Sequence, residues 1–332
     1  MKLQILVPHY RETADEMRPL LDSIALQQAV DFSEIGVVVA YDGPDAEPLP
    51  CEWFGLGADP SPYPFAIERV LIPEHVGVSA TRNAALDAAT ADYVMFCDCD
   101  DCFCDACGLY IVFREIDNGG FDTMVSCFRE ETRDPDGNPL YVNHDMDSTF
   151  VHGKVHRRAY LVDSGIRFDP RLTVHEDSYF NILAQNLTQS AKYCQTPFYL
   201  WRWRDGSVCR HDRDYILKTY GNMLDSNDAL VDEFVRRMRE DKAAFYVAYM
   251  VYDAYYLMNK PEWVKQENQH YRKAVEERFA RYFAKHRGQW ESVPQHDRMM
   301  ISNGVRQRSV MEGMLMEAVT LDQWLEGVMA NA

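Results

Sequence analysis

Four short apolar runs, each followed by a residue that ends a strand, constrain this fold more than any other feature. Residues 2–8 (KLQILVP) run to Pro8, and residues 35–40 (IGVVVA) stop at Asp42-Gly43-Pro44. Ala66 to Ile72 forms a third run, and Tyr93 to Cys97 leads directly into Asp98. Between the first two, Met17, Leu20, Leu21, Ile24 and Ala25 recur at helical spacing within residues 13–28, and residues 78–90 read as a second helix. Residues 44–64 carry six prolines and read as an irregular loop. The β-α-β-β-α-β order predicts an α/β fold with a Rossmann-like, mostly parallel sheet flanked by helices. Ligands of such sheets sit at the carboxyl ends of the strands, where Pro8, Asp42 and Asp98 all fall.

Further along, the spacing predicts a helix over 104–117, a strand over 121–128, and a polar stretch over 129–148 that turns at Asp136-Gly137-Asn138-Pro139. A helix over 176–187 and an aromatic-rich strand pair over 191–203 follow. From Tyr215 the pattern is helical almost to the end, with a break at 287–297. The expected division is a first domain over 1–211 and a helical one over 212–332, the latter serving acceptor or oligomer contacts. Tyr246, Tyr249, Tyr252, Tyr255 and Tyr256 lie at helical spacing, more in keeping with core or a subunit contact than with a carbohydrate platform.

Composition narrows the partners. With 34 basic and 52 acidic residues the formal charge is −18, a surface that repels nucleic acid and anionic lipid. The most apolar later stretch, Ala243 to Met258, is interrupted by Asp253 and falls short of the roughly 20 residues of a membrane span. It reads as a buried or interface helix, with no transmembrane anchor expected. Nine Cys, an odd number, and a first strand that begins at once without a leader pattern point to a reducing, cytoplasmic compartment.

The segment Phe96-Cys97-Asp98-Cys99-Asp100-Asp101 follows a strand directly. Alternation along an extended chain puts Asp98 and Asp100 on one side and Cys97 and Cys99 on the other, toward the core. Two carboxylates facing one way repel unless a cation joins them. Mg2+ and Mn2+ take oxygen ligands and bridge carboxylates to phosphates, so a metal-diphosphate site explains the pair, as would a plain solvated acidic turn. Cys97, Cys99, Cys102, Cys104 and Cys107 lack the paired C-x2-C spacing usual for zinc.

At this point the chain resembles the family 2 glycosyltransferases of the GT-A fold. Leu6-Val7-Pro8-His9-Tyr10-Arg11-Glu12 is similar to the family's V-P-x-Y-N-x-E opening, and Tyr41-Asp42-Gly43-Pro44 sits where the family has D-D-G-S. Gly77-Val78-Ser79-Ala80-Thr81-Arg82-Asn83 resembles G-x-S-x-A-R-N, and Asp98-Cys99-Asp100-Asp101 resembles D-x-D-D. Gly153-Lys154-Val155-His156-Arg157-Arg158 resembles G-K-L-Y-R-R, and Glu176-Asp177 the E-D at the start of a late helix. Tyr199-Leu200-Trp201-Arg202-Trp203-Arg204-Asp205-Gly206-Ser207 looks like Y-x-Y-R-x-x-x-G-S. The segments fall in order across about the first two-thirds of the chain. Tyr41, Pro44 and Arg11 depart from the family's residues.

The resemblance implies a metal-dependent, inverting transfer of a sugar from a nucleoside diphosphate donor, a UDP-sugar by the retained Asp42, to an acceptor hydroxyl. It places Pro8, Tyr10, Glu12 and Asp42 around base and ribose, and Arg82 beside the nucleotide or in a salt bridge to one of the Asp residues. Asp98 contacts ribose or shares an Mn2+ or Mg2+ ion with Asp100, and His211 is a candidate third ligand, although a lone His is more often structural. Arg202 or Arg204 offers a bidentate phosphate contact, and Lys154 a phosphate or acceptor contact if it is not a surface lysine. Asp177 is the candidate general base and Glu176 its neighbour, unless Asp177 is simply an acid favoured at a helix start. The acceptor, whether glycan, lipid-linked or protein, is not encoded in any pattern here. Two other readings compete: a sugar-1-phosphate nucleotidyltransferase, which would open with a Gly-rich loop absent after Val7, and a non-catalytic nucleotide-sugar-binding protein, which would be expected to lose the carboxylates.

Overall fold

The computed structural model describes residues 1–56, 58, 60–204, 215–313 and 320–330. The chain forms two compact units, Met1–Asp205 and Gly206–Ala332.

The first unit is built on a nine-stranded sheet. Strands β1 (Leu3–His9), β2 (Ile35–Tyr41), β3 (Ala66–Leu71) and β4 (Tyr93–Phe96) are all parallel, in the order β3-β2-β1-β4. The chain winds outward from β1 through β2 to β3, then returns to β1's other side for β4. The order therefore reverses at β1, and the ends of β1, β2 and β4 open on one crevice. Leu3, Ile5, Leu6 and Val7 are fully buried and all of β2 is buried, which is why these runs show no polar alternation. Helix α1 (Ala14–Ala25) buries Met17, Leu20, Leu21 and Ile24. A capping box starts it: the Thr13 side chain accepts from the Glu16 amide while Glu16 accepts from the Thr13 amide. Helix α2 (Val78–Ala88) begins at Gly77.

Beyond β4 the sheet turns mixed. Strands β5 (Cys102–Phe103), β6 (Thr123–Arg133), β7 (Pro139–His144), β8 (Lys154–Arg157) and β9 (Ala191–Trp201) complete the order β4-β8-β6-β9-β5, with β7 on β6. Only β6 and β9 pair in parallel there. The expected helix over 104–117 is confined to α3 (Gly108–Asp117), because Cys102–Phe103 pairs with Tyr199–Leu200 and Asp105 holds a turn by accepting from the Cys107 amide at 2.7 Å. The strand expected over 121–128 runs on to Arg133 and folds back into β7, because Asp134 accepts from the amides of Asp136 and Asn138 and fixes the hairpin turn. The expected pair over 191–203 is the single strand β9. Helices α4 (Arg158–Asp163) and α5 (Glu176–Leu187) cover this half.

The second unit is helical, with Tyr215–Arg236 and Glu240–Met258 as its longest helices. The break expected at 287–297 is a short helix, Arg287–Ser292, between Gln269–Lys285 and Gln295–Met311. Tyr255 and Tyr256 of the tyrosine series are buried core, whereas Tyr249 and Tyr252 line a groove of about 740 Å³ with Phe245 and Ile301. No helix among the described residues is long and apolar enough to cross a membrane.

Candidate active site

The carboxyl ends of β1, β2 and β4 and the start of α5 carry a dense set of ionisable groups. Strand β4 ends at Phe96, and residues 98–101 form a turn in which the Asp101 amide donates to the Asp98 carbonyl. The extended alternation assumed for 96–100 therefore does not hold. Cys97 and Cys99 nevertheless point into the core, 0% and 3% exposed, while Asp98 and Asp100 keep partly open carboxylates.

Arg82, on α2, is buried and bridges two elements. Its Nη2 donates to Asp98 Oδ1 and its Nη1 to Glu176 Oε1, both at 2.8 Å. Burial favours loss of the guanidinium proton, but Asp98 and Glu176 outweigh it and hold Arg82 charged. Burial pushes the Asp98 carboxyl up, and Arg82 more than reverses this, so its pKa lies below the usual range. Asp100 goes the other way: burial and then the charge of Asp98 raise it, against the pull of Arg204. Arg204 Nη1 lies 3.2 Å from Asp100 Oδ2 and 3.8 Å from Glu12 Oε1. Arg202 donates its backbone amide to Asp101 and its Nη1 to the Asp100 carbonyl.

Helix α5 starts from His175 in the left-handed conformation, φ 64°, which costs strain for a residue other than Gly or Asn and sets the direction of Glu176 and Asp177. Below this turn Phe168 and Phe180 stack at 4.1 Å, with Phe96 edge-on to both and the Arg82 guanidinium 5.3 Å from Phe168. Such aromatic pairs contribute about 0.5–1.5 kcal/mol each beyond their buried area, which fixes the helix start against the end of β4. Asp177 has its pKa pushed up to about 7, first by burial and then by the neighbouring charge of Glu176.

On the far side of the crevice, Asp42 accepts from the Val76 amide at 2.7 Å and the Gly77 amide at 3.0 Å, and lies 2.9 Å from His75 Nδ1. Gly43, at φ 93°, lets this turn approach: a Cβ there would lie 2.8 Å from the His75 amide nitrogen. Tyr10 stacks on His75 at 4.4 Å, and its amide donates to Glu12 at 3.1 Å. Pro8 precedes them as a partly buried residue of β1.

Of the site residues expected from sequence, Pro8, Tyr10, Glu12, Asp42, Arg82, Asp98, Asp100, Glu176, Asp177, Arg202 and Arg204 thus lie at neighbouring ends of these elements. His211 lies outside the described residues. Lys154 is not a surface lysine: it is 1% exposed and donates to the Phe150 carbonyl, with Asp147 at 3.7 Å. Sequence reasoning missed His75, whose only signal is its place just before the Gly77 motif. It also missed the weight of Asp101, buried and clamped by Tyr199 Oη at 2.5 Å and the Arg202 amide at 2.9 Å.

The description "Glycosyl transferase family 2" matches residues 4–169, half of the chain. The chain belongs to glycosyl transferase family 2. Among solved structures it is similar to S. aureus TarS 1-349 in complex with UDP, at 16% identity and a TM-score of 0.62, covering 99% of this chain and 90% of that one. The same protein in complex with UDP-GlcNAc gives 17% identity and a TM-score of 0.58, covering 96% and 93%. A longer S. aureus TarS structure gives 16% and 0.61, and there the chain spans about half of its neighbour, 53%, while 93% of this chain is covered. At such identity the likeness establishes the shared GT-A fold. No curated protein sequence matches the chain. Family membership makes the protein a glycosyltransferase and sets aside the nucleotidyltransferase and non-catalytic readings.

Proposed function

We propose that this family 2 glycosyltransferase is metal-dependent and inverting, and that it moves a sugar from a UDP carrier to an acceptor hydroxyl. The observation that carries the reading is the contrast between Asp98, bonded to Arg82, and Asp177, the neighbour of the Glu176 that Arg82 also holds. Asp98 is held ionised on the donor side, whereas Asp177 sits near neutrality on the other. A general base works best when its pKa lies close to the working pH.

The donor side fits a divalent cation. Asp98, Asp100 and Asp101 crowd within one turn, and their mutual charge, after burial, raises Asp100 and Asp101. Asp98 and Asp100 would hold Mn2+ or Mg2+, with His211 as the further candidate. When bound, the ion supplies charge neutralisation for the leaving diphosphate. The chain's residues do the rest. Tyr10 and His75 offer a stacking surface to the base, Asp42 its remaining lone pairs, Glu12 a ribose contact, and Arg204 and Arg202 positive charge near the diphosphate. Asp177 takes the acceptor's proton as the hydroxyl attacks the anomeric carbon, and Glu176 keeps Asp177 basic while anchored to Arg82. One displacement with no enzyme nucleophile inverts the centre.

We assign donor binding and catalysis to residues 1–211, and acceptor or oligomer contacts to 212–332. The nine Cys, with Cys97 and Cys99 in the core, support a reducing cytoplasmic setting. The test is slow hydrolysis or transfer from UDP-sugars with Mn2+, its arrest by EDTA, and NMR of the first product anomer. Activity unchanged in EDTA, or a retained anomeric centre, overturns the assignment.

A further inference from the structure

A second set of metal-compatible groups lies beside the crowded carboxylates, where Cys99 stands between Asp98 and Asp100 but is buried. β1 and β4 pair with Leu6 opposite Phe96, and three residues beyond each partner stand His9 and Cys99. His9 is 1% and Cys99 3% exposed. Glu12 closes the group from the loop after β1, with its Oε2 3.7 Å from His9 Nδ1. A ligand atom from each of the three lies within 4.8 Å of the other two.

The buried ring nitrogen of His9 that faces this group is what points to a ligand. Its Nε2 lies 2.6 Å from the Glu47 carbonyl oxygen. A carbonyl can only accept, so Nε2 carries a hydrogen, and Nδ1 is the ring nitrogen left facing Glu12 and Cys99. That Nδ1 is buried and makes no hydrogen bond. A buried ring nitrogen with no partner is costly, and either a proton shared with Glu12 or a metal ion held together with Glu12 and Cys99 would satisfy it. Histidines that bind metals through one nitrogen commonly donate the other N–H to a backbone carbonyl, which is the arrangement here.

We propose that His9 Nδ1, Glu12 and Cys99 Sγ form a binding site for a borderline-soft divalent ion of the Zn2+ or Co2+ class, distinct from the Asp98 and Asp100 site. Bonds of about 2.0 Å to nitrogen and oxygen and 2.3 Å to sulfur place tetrahedral ligands about 3.3–3.9 Å apart. The three ligand atoms lie within 4.8 Å of one another, so binding draws them together by at most about 1.5 Å. Sulfur and imidazole select this class over Mg2+ and Mn2+. The Cys99 thiol loses its proton to solvent as the S–metal bond forms, so one proton is released per ion bound. An ion there ties β1 to the turn after β4, the two segments that carry the donor-side residues.

The probe is Co2+ alone, titrated into the full chain in a thiol-free reducing buffer and followed by its visible bands and its thiolate-to-cobalt charge-transfer band. One thiolate-linked Co2+ per chain, with one proton released, is expected. The band should vanish in Cys99→Ser and His9→Gln, and survive in Asp100→Asn and in Cys104→Ser with Cys107→Ser. Because Cys99 and His9 are core residues, Glu12→Gln at the rim is a second arm, expected to weaken Co2+ at least tenfold. A folded parent with no thiolate band overturns the site, since His9 Nδ1 then carries a proton and pairs with Glu12. A band that persists in Cys99→Ser, or an unchanged affinity in Glu12→Gln, overturns it equally.

Discussion

If Asp177 is the base, its environment should be readable in the pH dependence of the rate. With its pKa near 7, log(kcat/KM) should rise with a slope of one below about pH 7 and level off above it. Asp177→Asn, matched in size but unable to accept the acceptor's proton, should cut kcat at least about a hundredfold, or roughly 2.7 kcal/mol, with donor affinity nearly unchanged.

Glu176→Gln tests the reason for the pKa rather than the base itself. The negative charge of Glu176 raises Asp177, so its removal must lower the group. Arg82, freed from its 2.8 Å contact with Glu176, then acts more strongly in the same direction. For two charges roughly 6–8 Å apart at an effective dielectric constant of about 20, the interaction is about 2–3 kcal/mol, or about 1.5–2 pH units. The acidic limb should therefore move from near pH 7 to near pH 5, and the plateau should drop several-fold because the base is weaker. Initial rates over about pH 4.5–8.5, at saturating and limiting acceptor, decide it. A limb that stays in place or moves upward in Glu176→Gln would refute the electrostatic account. Loss of donor binding in Asp177→Asn with turnover intact would refute the base assignment.

Three further outcomes follow from the same geometry. Asp100→Ala should abolish Mn2+-dependent donor binding in calorimetric titration without unfolding the chain, because Asp100 keeps a partly open carboxylate in a turn and fills no apolar core; unchanged affinity rules out its role at the metal. UDP should compete for the donor site better than GDP, CDP or TDP, and a preference for GDP would show that Tyr41 and Pro44 have reshaped the pocket. His152 and His156 are buried neutral with pKa values near 3 against an ordinary 6.5, so the unfolded chain takes up protons that the folded one refuses. Stability is then complete above pH 6.5 and falls by up to about 1.4 kcal/mol per His per pH unit as pH drops toward 3, a loss that thermal melts at pH 7, 6 and 5 should show and that His156→Gln should reduce.

The parallel half of the sheet was legible because β1, β2 and β4 are buried on both faces and announce themselves as unbroken apolar runs. The mixed half was not. Lys154–Arg157 reads as a basic stretch, yet β8 is a central strand because the Lys154 ammonium is satisfied by a carbonyl and a carboxylate inside the fold. Cys102–Phe103 is too short to show any period, and only its pairing with β9 makes it a strand. In the site, residue types and order were readable from the motif segments, but the partners were not. That Arg82 spans Asp98 and Glu176, residues 16 and 94 positions away, depends on the fold bringing α2, the turn after β4 and the start of α5 together. His75 escaped notice because its meaning comes from Asp42 and Tyr10, which only the fold brings to it.

The charge balance of the crevice bears on the proposed need for a cation. A protein of net charge −18 must accept a donor that is itself an anion. Among the described residues the cations at these carboxylates are engaged: Arg82 by Asp98 and Glu176, Arg202 by the Asp100 carbonyl, Arg204 by Asp100 and Glu12, and Lys154 by the Phe150 carbonyl and Asp147. Asp98, Asp100, Glu12, Glu176 and a half-ionised Asp177 exceed them in number. A bare diphosphate entering this field would face uncompensated carboxylates, and moving an arginine to meet it would leave its buried partner unpaired, typically a cost of several kcal/mol. A divalent ion held by Asp98 and Asp100, as proposed, would remove both difficulties at once by supplying the missing positive charge. The arginines could then keep their pairings, Arg82 with Asp98 and Glu176 included.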